Sequence, residues 1–389
     1  MKRSYSVDLL IFGGGIAGLW TLLCARQAGY QALLLENHAL GGVQSIASQG
    51  IIHGGTKYAL GGSVTASTRA IGDMPGIWRD ALAGRGDMDL SGVRLLSGHQ
   101  YLWSSGSLTS SLASLLASKL MQSRVAPLAR DEHPPPFDVS GFRGRLYRLE
   151  EPVLDTASLM KGLADQARPW CCLYDAESME IRNNNTVVVG NLEISPRRVL
   201  LVAGKGNAAL MERWGMTVPR MQLRPLHMLM ARGKLPPVHA HCLGASANPR
   251  LTITSYPLEG EESVWYLGGE LAETGVTRDP AAQIAEARAE LERLLPWMDF
   301  TPLQWATLPI DRAEVATPGG KRPDDCYLGG DGSVMVAWPT KLAFAPRLAD
   351  RVLERLAQEG VQASEQETPP LDLPAPPLAP LPWEHATWS

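Results

Sequence analysis

The chain has 389 residues, 45% of them hydrophobic, and a formal net charge of −4, so it can bury a large core in two or three domains. The acidic balance argues against nucleic acid as a partner. The five cysteines form no C-x-x-C pair, so we expect reduced buried thiols, a cytoplasmic location and no metal site. Because no uninterrupted apolar run reaches about eighteen residues, we expect no membrane-spanning helix.

The N-terminal segment follows the order of a nucleotide-binding βαβ unit. An apolar run over residues 7–12 predicts a buried strand that leads directly into Gly13, Gly15 and Gly18. Gly13 can take unusual dihedrals, Gly15 lets a pyrophosphate approach the backbone, and Gly18 lets the next helix pack close to the sheet. The N-terminus of that helix, predicted over residues 16–28, favours an anion. A glycine turn without a ligand is the alternative interpretation.

Glu36 ends a second predicted strand over residues 31–35. A carboxylate at this point accepts hydrogen bonds from the adenosine ribose and argues against a 2′-phosphate, so the dinucleotide is of the NAD or FAD kind. The residues predicted to bind it in this unit are Gly13, Gly15, Ile16, Ala17, Gly18 and Glu36.

The rest of the chain predicts mixed helices and strands. The helices are predicted over residues 64–82, 108–121, 157–167, 280–295 and 343–358. The strands are predicted over residues 94–103, 171–181, 186–189, 198–204, 222–231, 251–256, 264–267 and 334–338. The amphipathic helix over 108–121 is interpreted as a packing helix in preference to a membrane anchor. The β-rich runs between residues 221 and 270 indicate an antiparallel sheet, and the proline-rich tail either wraps the surface or stays loose.

Four segments carry a family resemblance. They are the fingerprint from Gly13 to Glu36, the run Ile52-His53-Gly54-Gly55-Thr56-Lys57-Tyr58, the strand ending Val202-Ala203-Gly204, and Trp338-Pro339-Thr340-Lys341-Leu342 before a helix. Together they resemble the D-amino-acid oxidase family of FAD-dependent oxidoreductases, which includes glycine oxidase, sarcosine oxidase and aerobic glycerol-3-phosphate dehydrogenase. The resemblance spans roughly residues 5–360. The usual Gly-Arg-Pro before the last strands is matched here only by residues 310–313.

The resemblance and the element order predict an α/β fold. A Rossmann-like FAD-binding domain is built from the discontinuous segments 1–80, 150–213 and 311–360. An inserted α+β substrate or cap domain, which contains the antiparallel sheet, covers residues 81–149 and 214–310. Residues 361–389 form the C-terminal tail.

The resemblance implies noncovalently bound FAD and further cofactor contacts. Besides the fingerprint, the implied contacts are Ser45, Ser48, Gln49, Ala203, Gly204, Thr340, Lys341 and Leu342. Hydroxyls and glycines in the loop of residues 45–58 suit a pyrophosphate cradle. A helix N-terminus at residues 340–342 would favour negative charge on the flavin's pyrimidine edge.

The implied catalytic residues are Lys341, His53, Lys57, Tyr58 and Arg312. Lys341 either stabilises negative charge on the flavin or on reduced oxygen, or is an ordinary surface lysine. His53 is interpreted as a flavin-edge residue, a base, a covalent attachment point or a buried structural histidine. Lys57 and Tyr58 face the substrate in phosphate-oxidising relatives, where Arg fills the first position. Arg312 either binds a substrate carboxylate or belongs to an ion-pair cluster.

The predicted function is oxidation of a small, anionic amine or amino acid by hydride transfer to flavin N5. One alternative is a dehydrogenase of a glycerol-3-phosphate-like or 2-hydroxy acid substrate that passes electrons to quinone. Another is a flavin-binding protein without turnover. The implied partners are the small-molecule substrate and oxygen or quinone as electron acceptor. Peripheral membrane contact is compatible with the sequence.

Overall fold

A computed structural model describes residues 3–54, 71–104, 125–182, 185–244, 248–365 and 371–389. Its strands are β1 Arg3–Phe12, β2 Ala32–Glu36, β3 Leu95–Ser97, β4 Gln100–Ser104, β5 Val125–Pro127, β6 Arg145–Leu149, β7 Val153–Leu154, β8 Cys171–Leu173, β9 Glu180–Ile181, β10 Val187–Val189, β11 Leu192–Leu201, β12 Met221–Gly233, β13 His239–Cys242, β14 Leu251–Pro257, β15 Ser263–Gly268, β16 Gln304–Val315, β17 Tyr327–Asp331 and β18 Val334–Trp338. Its α-helices are α1 Ile16–Gln27, α2 Met74–Leu82, α3 Thr156–Ala167, α4 Asn207–Arg213, α5 Glu270–Thr274, α6 Pro280–Leu294 and α7 Ala345–Gln358.

The first sheet has the strand order β17-β18-β11-β1-β2-β8, with the short strands β9 and β10 beside β11. Its centre is parallel, because β1 pairs in parallel with β2 and β11, and β11 with β18. Residues 9–12 of β1 are fully buried on both faces, as is typical of a central parallel strand. β18 joins β11 from the far end of the chain, so the sheet is built from discontinuous segments.

Helices α1 and α7 cover one face of the first sheet. Leu348, Val352 and Leu356 of α7 recur every four residues and are fully buried, which places them on one helix face. They pack in the same core as α1 and the inner residues of β1. Helix α3 begins at Thr156, one residue before its predicted start, and the Asp155 carboxylate caps it by accepting hydrogen bonds from the N–H groups of Ala157 and Ser158.

The second sheet has the order β16-β12-β15-β14-β13-β4-β6-β5. It is antiparallel as predicted except at one pair, since β13 runs parallel to β4. One face packs on α6 through residues such as Leu229, Ile253, Trp265 and Leu291. The opposite face is turned toward the first sheet. The mixed α/β fold with an inserted second sheet is therefore confirmed.

Several predicted elements differ in extent from the structure. The strand expected over 94–103 is divided into β3 and β4 at residues 98–99, and β11 begins six residues before the predicted start at 198. No strand was predicted for residues 304–315, which form β16 and pair with β12 along their whole length. The predicted helix over 108–121 and the first part of that over 64–82 lie outside the described residues.

The C-terminal tail wraps the molecule. The N–H of Leu40 donates to Pro377 O at 2.8 Å, and the N–H of Ala379 donates to Leu40 O at 3.0 Å. At the end of the chain, Ser389 and Trp305 exchange two backbone hydrogen bonds of 2.9 and 3.0 Å. The tail therefore contacts both the first-sheet side and strand β16 of the second sheet.

The five cysteines are buried and free of disulfides, as predicted. None of the helices in the described part of the chain combines the length and the hydropathy of a membrane-spanning segment. The domain boundaries proposed from the sequence remain a prediction, although β16 continues in the second sheet as far as Val315.

Candidate functional site

The glycine-rich turn after β1 has the geometry of an anion cradle. Gly13 has a φ of +113°, which side-chain-bearing residues rarely adopt. A Cβ atom on Gly13 would lie 2.5 Å from Ala203 Cα, and one on Gly18 would overlap the carbonyl oxygen of Gly13. Gly15 differs, because its φ of −75° is ordinary and only Ser45 Oγ lies near, 3.2 Å from a Cβ position. Gly13 and Gly18 serve the close packing, whereas Gly15 leaves space on the open side of the turn.

Glu36 lies opposite this turn at the end of β2. Its Oε2 accepts a hydrogen bond from the N–H of Gly14 at 2.6 Å, and its Oε1 accepts one from the N–H of His38 at 2.8 Å. The carboxylate is thus held beside the first residues of the turn. This fixed position suits an acid that meets the ribose of a dinucleotide.

A cavity of about 460 Å³ runs between the two sheets. It brings together most of the predicted site residues, namely Gly13, Gly15, Ile16, Ala17, Glu36, Ser45, Ser48, Gln49, His53, Ala203, Gly204, Arg312, Thr340, Lys341 and Leu342. Gly18 lies behind the turn and is not among the lining residues. Lys57 and Tyr58 lie outside the described residues.

The polar residues of the loop after β2 are partly engaged in the protein itself. Ser45 Oγ accepts a hydrogen bond from the N–H of Ile16 at 3.0 Å, at the start of α1. The Gln49 side-chain amide donates to Tyr266 O at 2.9 Å, which ties this loop to the second sheet. Tyr266 in turn donates its hydroxyl hydrogen to Ala47 O at 3.0 Å. These contacts hold the loop as one wall of the cavity.

The far end of the cavity is formed by the segment before α7. Thr340 has a φ of +60°, and Lys341, only 7% exposed, follows it. The α-helix itself begins at Ala345, after a 3₁₀ turn over Leu342–Phe344. The predicted helix start at 340–342 is therefore about one turn early, since the 3₁₀ turn precedes regular α geometry. Lys341 Nζ lies 4.8 Å from the ring centroid of Phe344, within the range of a cation–π contact.

Arg312 both lines the cavity and belongs to a charged cluster. Its Nη2 lies 3.4 Å from Glu273 Oε1, and its Nε donates to Arg224 O at 3.3 Å. Arg224, its cross-strand neighbour, pairs with Glu314 at 3.0 Å. Burial, helped by the charges of Arg224 and Arg322, lowers the pKa of Arg312 to about 10.

Arg322 is a cavity-lining cation that the sequence analysis missed. It donates a hydrogen bond to Thr340 O at 3.0 Å and so stands beside the segment that carries Lys341. The signal was present in Gly320-Lys321-Arg322-Pro323, which is closer to a Gly-Arg-Pro pattern than residues 310–313 are. The earlier stretch instead belongs to strand β16.

His53 lies against two other ionisable side chains. Its Nδ1 is 3.4 Å from Glu151 Oε2, and its ring stacks on that of His241 with a centroid distance of 5.7 Å. His241 also lines the cavity, as does its neighbour Thr252, whose Oγ1 lies 2.8 Å from His241 Nδ1. The wall near His53 is therefore an ordered polar cluster.

The residues present fit an FAD molecule. The cavity is lined by the glycine turn, where Gly15 leaves space beside the backbone, and Glu36 is held next to that turn. The N-terminus of α1 faces this end, where a diphosphate would be favoured. Fold and site together define a Rossmann-like, dinucleotide-binding protein with a second sheet over the nucleotide site.

Residues 8–337 match the model of the family described as FAD dependent oxidoreductase, DAO, and the chain belongs to this family. A probable FAD-dependent oxidoreductase, PA4991, of Pseudomonas aeruginosa is 50% identical over 392 residues, which cover 99% of this chain and 100% of the relative. The crystal structure of PA4991 has a TM-score of 0.86 with 45% identity and covers 99% of both chains.

Two more distant structures share the fold alone. Glycine oxidase from Geobacillus kaustophilus has a TM-score of 0.66 at 16% identity, with 93% of this chain and 99% of that chain covered. L-alpha-glycerophosphate oxidase from Mycoplasma pneumoniae, with FAD bound, has a TM-score of 0.64 at 13% identity, with coverage of 97% and 99%. The family match and the 50% identical relative show that the chain is an FAD-dependent oxidoreductase, and its cofactor is FAD.

Proposed function

We propose that the protein oxidises a small anionic amine or amino acid, with FAD held noncovalently as the hydride acceptor. The observation that carries this proposal is the charge of the cavity wall away from Glu36. Arg312, Arg322 and Lys341 line it, whereas Glu273 is the one carboxylate among the described lining residues there. Because these cations are largely removed from water, an anionic group in the cavity would be stabilised strongly.

Bound FAD supplies a two-electron acceptor for the hydrogen of a substrate C–H bond. The chain's own residues bind and orient the reactants. The cradle around Gly15 and the N-terminus of α1 would hold the diphosphate, and Glu36 would accept hydrogen bonds from the adenosine ribose. Lys341 and the N–H groups of the turn Leu342–Phe344 add positive potential at the opposite end of the cavity. Arg312 would bind a substrate carboxylate, for which its planar fork of donors is suited.

The second candidate is oxidation of a phosphorylated alcohol or 2-hydroxy acid, with quinone as the final electron acceptor. The position of His53 and His241 on the cavity wall favours it, since a hydroxyl substrate must lose a proton when its carbon is oxidised. The run from Ile52 to Tyr58 also resembles the glycerol-3-phosphate dehydrogenases. However, Lys57 replaces the arginine of those enzymes and cannot form a bidentate contact with a phosphate.

The test is anaerobic flavin reduction with matched substrate pairs. Glycine and sarcosine are compared with methylamine and dimethylamine, which lack the carboxylate, and lactate and glycerol 3-phosphate represent the second candidate. We expect the flavin absorbance to bleach with glycine and sarcosine, and to bleach slowly or not at all with the amines that lack the carboxylate. Faster reduction by glycerol 3-phosphate or lactate would favour the second candidate, and reduction by none would favour a flavin-binding protein without turnover.

Two further measurements complete the assignment. Acid precipitation should release all of the flavin into the supernatant as FAD, whereas flavin left on the denatured chain would indicate covalent attachment, with His53 as the first residue to examine. Stopped-flow mixing of the reduced protein with oxygen or with a soluble quinone identifies the electron acceptor by the faster reoxidation.

A further inference from the structure

A buried carboxylate stands behind the histidine of the cavity wall. Glu151 is only 3% exposed, although it is an acid between two strands. Its Oε1 accepts a hydrogen bond from the N–H of Gly54 at 2.7 Å, and its Oε2 accepts one from Gln100 Nε2 at 2.6 Å. The same Oε2 lies 3.4 Å from His53 Nδ1. A buried carboxylate is tolerated where donors surround it in this way.

The donors around Glu151 restrict which nitrogen of His53 carries hydrogen. Backbone and amide N–H groups can only donate to the carboxylate, so the carboxylate acts as the acceptor. A neutral imidazole beside it then carries its hydrogen on Nδ1, and Nε2 is the acceptor nitrogen. A carboxylate behind a histidine fixes tautomer and ring orientation in the same manner in many sites.

Two further contacts restrict the ring of His53 and the side chain behind it. The His241 ring lies nearly parallel to that of His53, with an interplanar angle of 27°, and His241 is itself fixed by Thr252. On the other side, Gln100 is fully buried on β4. Its Oε1 has no hydrogen-bond partner within the described part of the chain, so the hydrogen bond to Glu151 sets its orientation.

We propose that Glu151 and Gln100 are positioning residues that hold His53 as the Nδ1–H tautomer, with Nε2 as the proton acceptor for a substrate hydroxyl or ammonium. This inference rests on the proposed function, because it requires the substrate to occupy the cavity beside His53. When the substrate carbon is oxidised, its C–H hydrogen and two electrons leave to the FAD. The O–H or N–H bond breaks, its proton goes to Nε2, and its electron pair completes the C=O or C=N bond.

The test is the tautomer of His53 in the holoenzyme, read from ¹⁵N-labelled histidine side chains by two-bond ¹H–¹⁵N correlation spectra. The chain has eight histidines, and the His53→Gln variant assigns the signal of His53. We expect a protonated-type shift for Nδ1 and an unprotonated-type shift for Nε2 in the wild type. An Nε2–H tautomer in the wild type overturns the proposal, and this measurement needs no variant that might fold poorly.

The variant Glu151→Gln makes the test sharper. The amide oxygen can still accept from Gly54, but its NH₂ group then faces His53, and Gln100 can turn its Oε1 toward the same group. We therefore expect His53 to change to the Nε2–H tautomer. The matched control is Glu150→Gln, which alters the neighbouring exposed acid paired with Arg148 at 2.9 Å and should leave the His53 signals unchanged.

Kinetics give the second readout. In Glu151→Gln we expect flavin reduction at saturating substrate to slow by about 100-fold, with KM little changed, since a proton acceptor contributes on this order to the rate. An unchanged tautomer or an unchanged rate in this variant overturns the proposal. If no tested substrate reduces the flavin, the proposed function fails, whereas the tautomer of His53 still decides the positioning role.

Discussion

The backbone geometry of the glycine turn predicts that one small substitution weakens FAD binding without unfolding the protein. Gly15 has φ −75° and ψ 179°, which alanine adopts readily, and its nearest neighbour to an added Cβ is Ser45 Oγ at 3.2 Å. Ser45 must move by only a few tenths of an ångström. Since Gly→Ala at a compatible position also reduces the entropy of the unfolded chain, we expect stability to change by less than about 1 kcal/mol.

The same methyl group occupies the side of the turn where a pyrophosphate approaches the backbone. Moving the diphosphate away costs at least one charge-assisted hydrogen bond from an N–H group, about 1.5–3 kcal/mol. This free energy corresponds to a rise in the Kd for FAD of roughly 10- to 150-fold. The assay is titration of FAD into apoprotein, followed by the quenching of flavin fluorescence, with circular dichroism as the measure of folding.

Two other glycines serve as controls for Gly15→Ala. Gly76 in helix α2 has nothing within 4 Å of a Cβ position, so Gly76→Ala should leave both FAD affinity and fold intact. In Gly18→Ala the added methyl overlaps the backbone of Gly13, and we expect a loss of about 3 kcal/mol of stability from overpacking. Wild-type affinity for FAD in a folded Gly15→Ala protein would refute the assignment of this turn to the diphosphate.

The remaining predictions concern individual side chains. Glu36→Ala should weaken FAD binding by about 1–3 kcal/mol in the same titration, and equal affinity would contradict the ribose contact. Arg312→Met should raise the substrate KM while FAD stays bound, whereas Lys341→Met should mainly slow flavin reduction or reoxidation in anaerobic stopped flow. Burial lowers the pKa of His239 from 6.5 to about 4. As the pH falls, the unfolded chain therefore takes up a proton at this histidine before the folded protein does, and the free energy of unfolding decreases by about 3 kcal/mol between pH 6.5 and 4. The variant His239→Gln should flatten this part of the pH profile of urea unfolding. Trp383 of the tail is 8% exposed and lies 4.3 Å from the Tyr256 ring centroid, so Trp383→Ala should cost about 3 kcal/mol in thermal unfolding, and an unchanged melting temperature would show that the tail contributes little.

The parts of the molecule that follow from local sequence were predictable. The positive φ of Gly13, the position of Glu36 at the end of β2 and the Asp155 cap of α3 each depend on residues close in the chain. The order of strand, glycines, helix and acid also predicted the parallel sheet.

The parts that depend on distant pairing were not predictable in the same way. Strand β16 contains Pro309 and Asp311, which are poor strand formers, and it becomes a strand because its whole length pairs with β12. Glu151 looked like an ordinary acid beside Glu150, and its role depends on contacts with Gly54 and Gln100 from other segments. Arg322 had a local signal in Gly320-Lys321-Arg322-Pro323 shortly before β17, but the arginine before the last strands was predicted to be Arg312, which lies inside β16.

The sequence offered an ion pair and a substrate contact as alternatives for Arg312, yet the two are compatible in the structure. Arg312 lies 3.4 Å from Glu273, at the long end of a hydrogen bond, and both residues line the cavity. An anionic substrate would therefore compete with Glu273 for the guanidinium, which offsets part of its binding free energy. Arg322 and Lys341 add two further positive charges to this wall, so we expect the anionic substrate to bind in spite of its competition with Glu273 for the Arg312 guanidinium. Removing the Glu273 carboxylate should therefore tighten substrate binding.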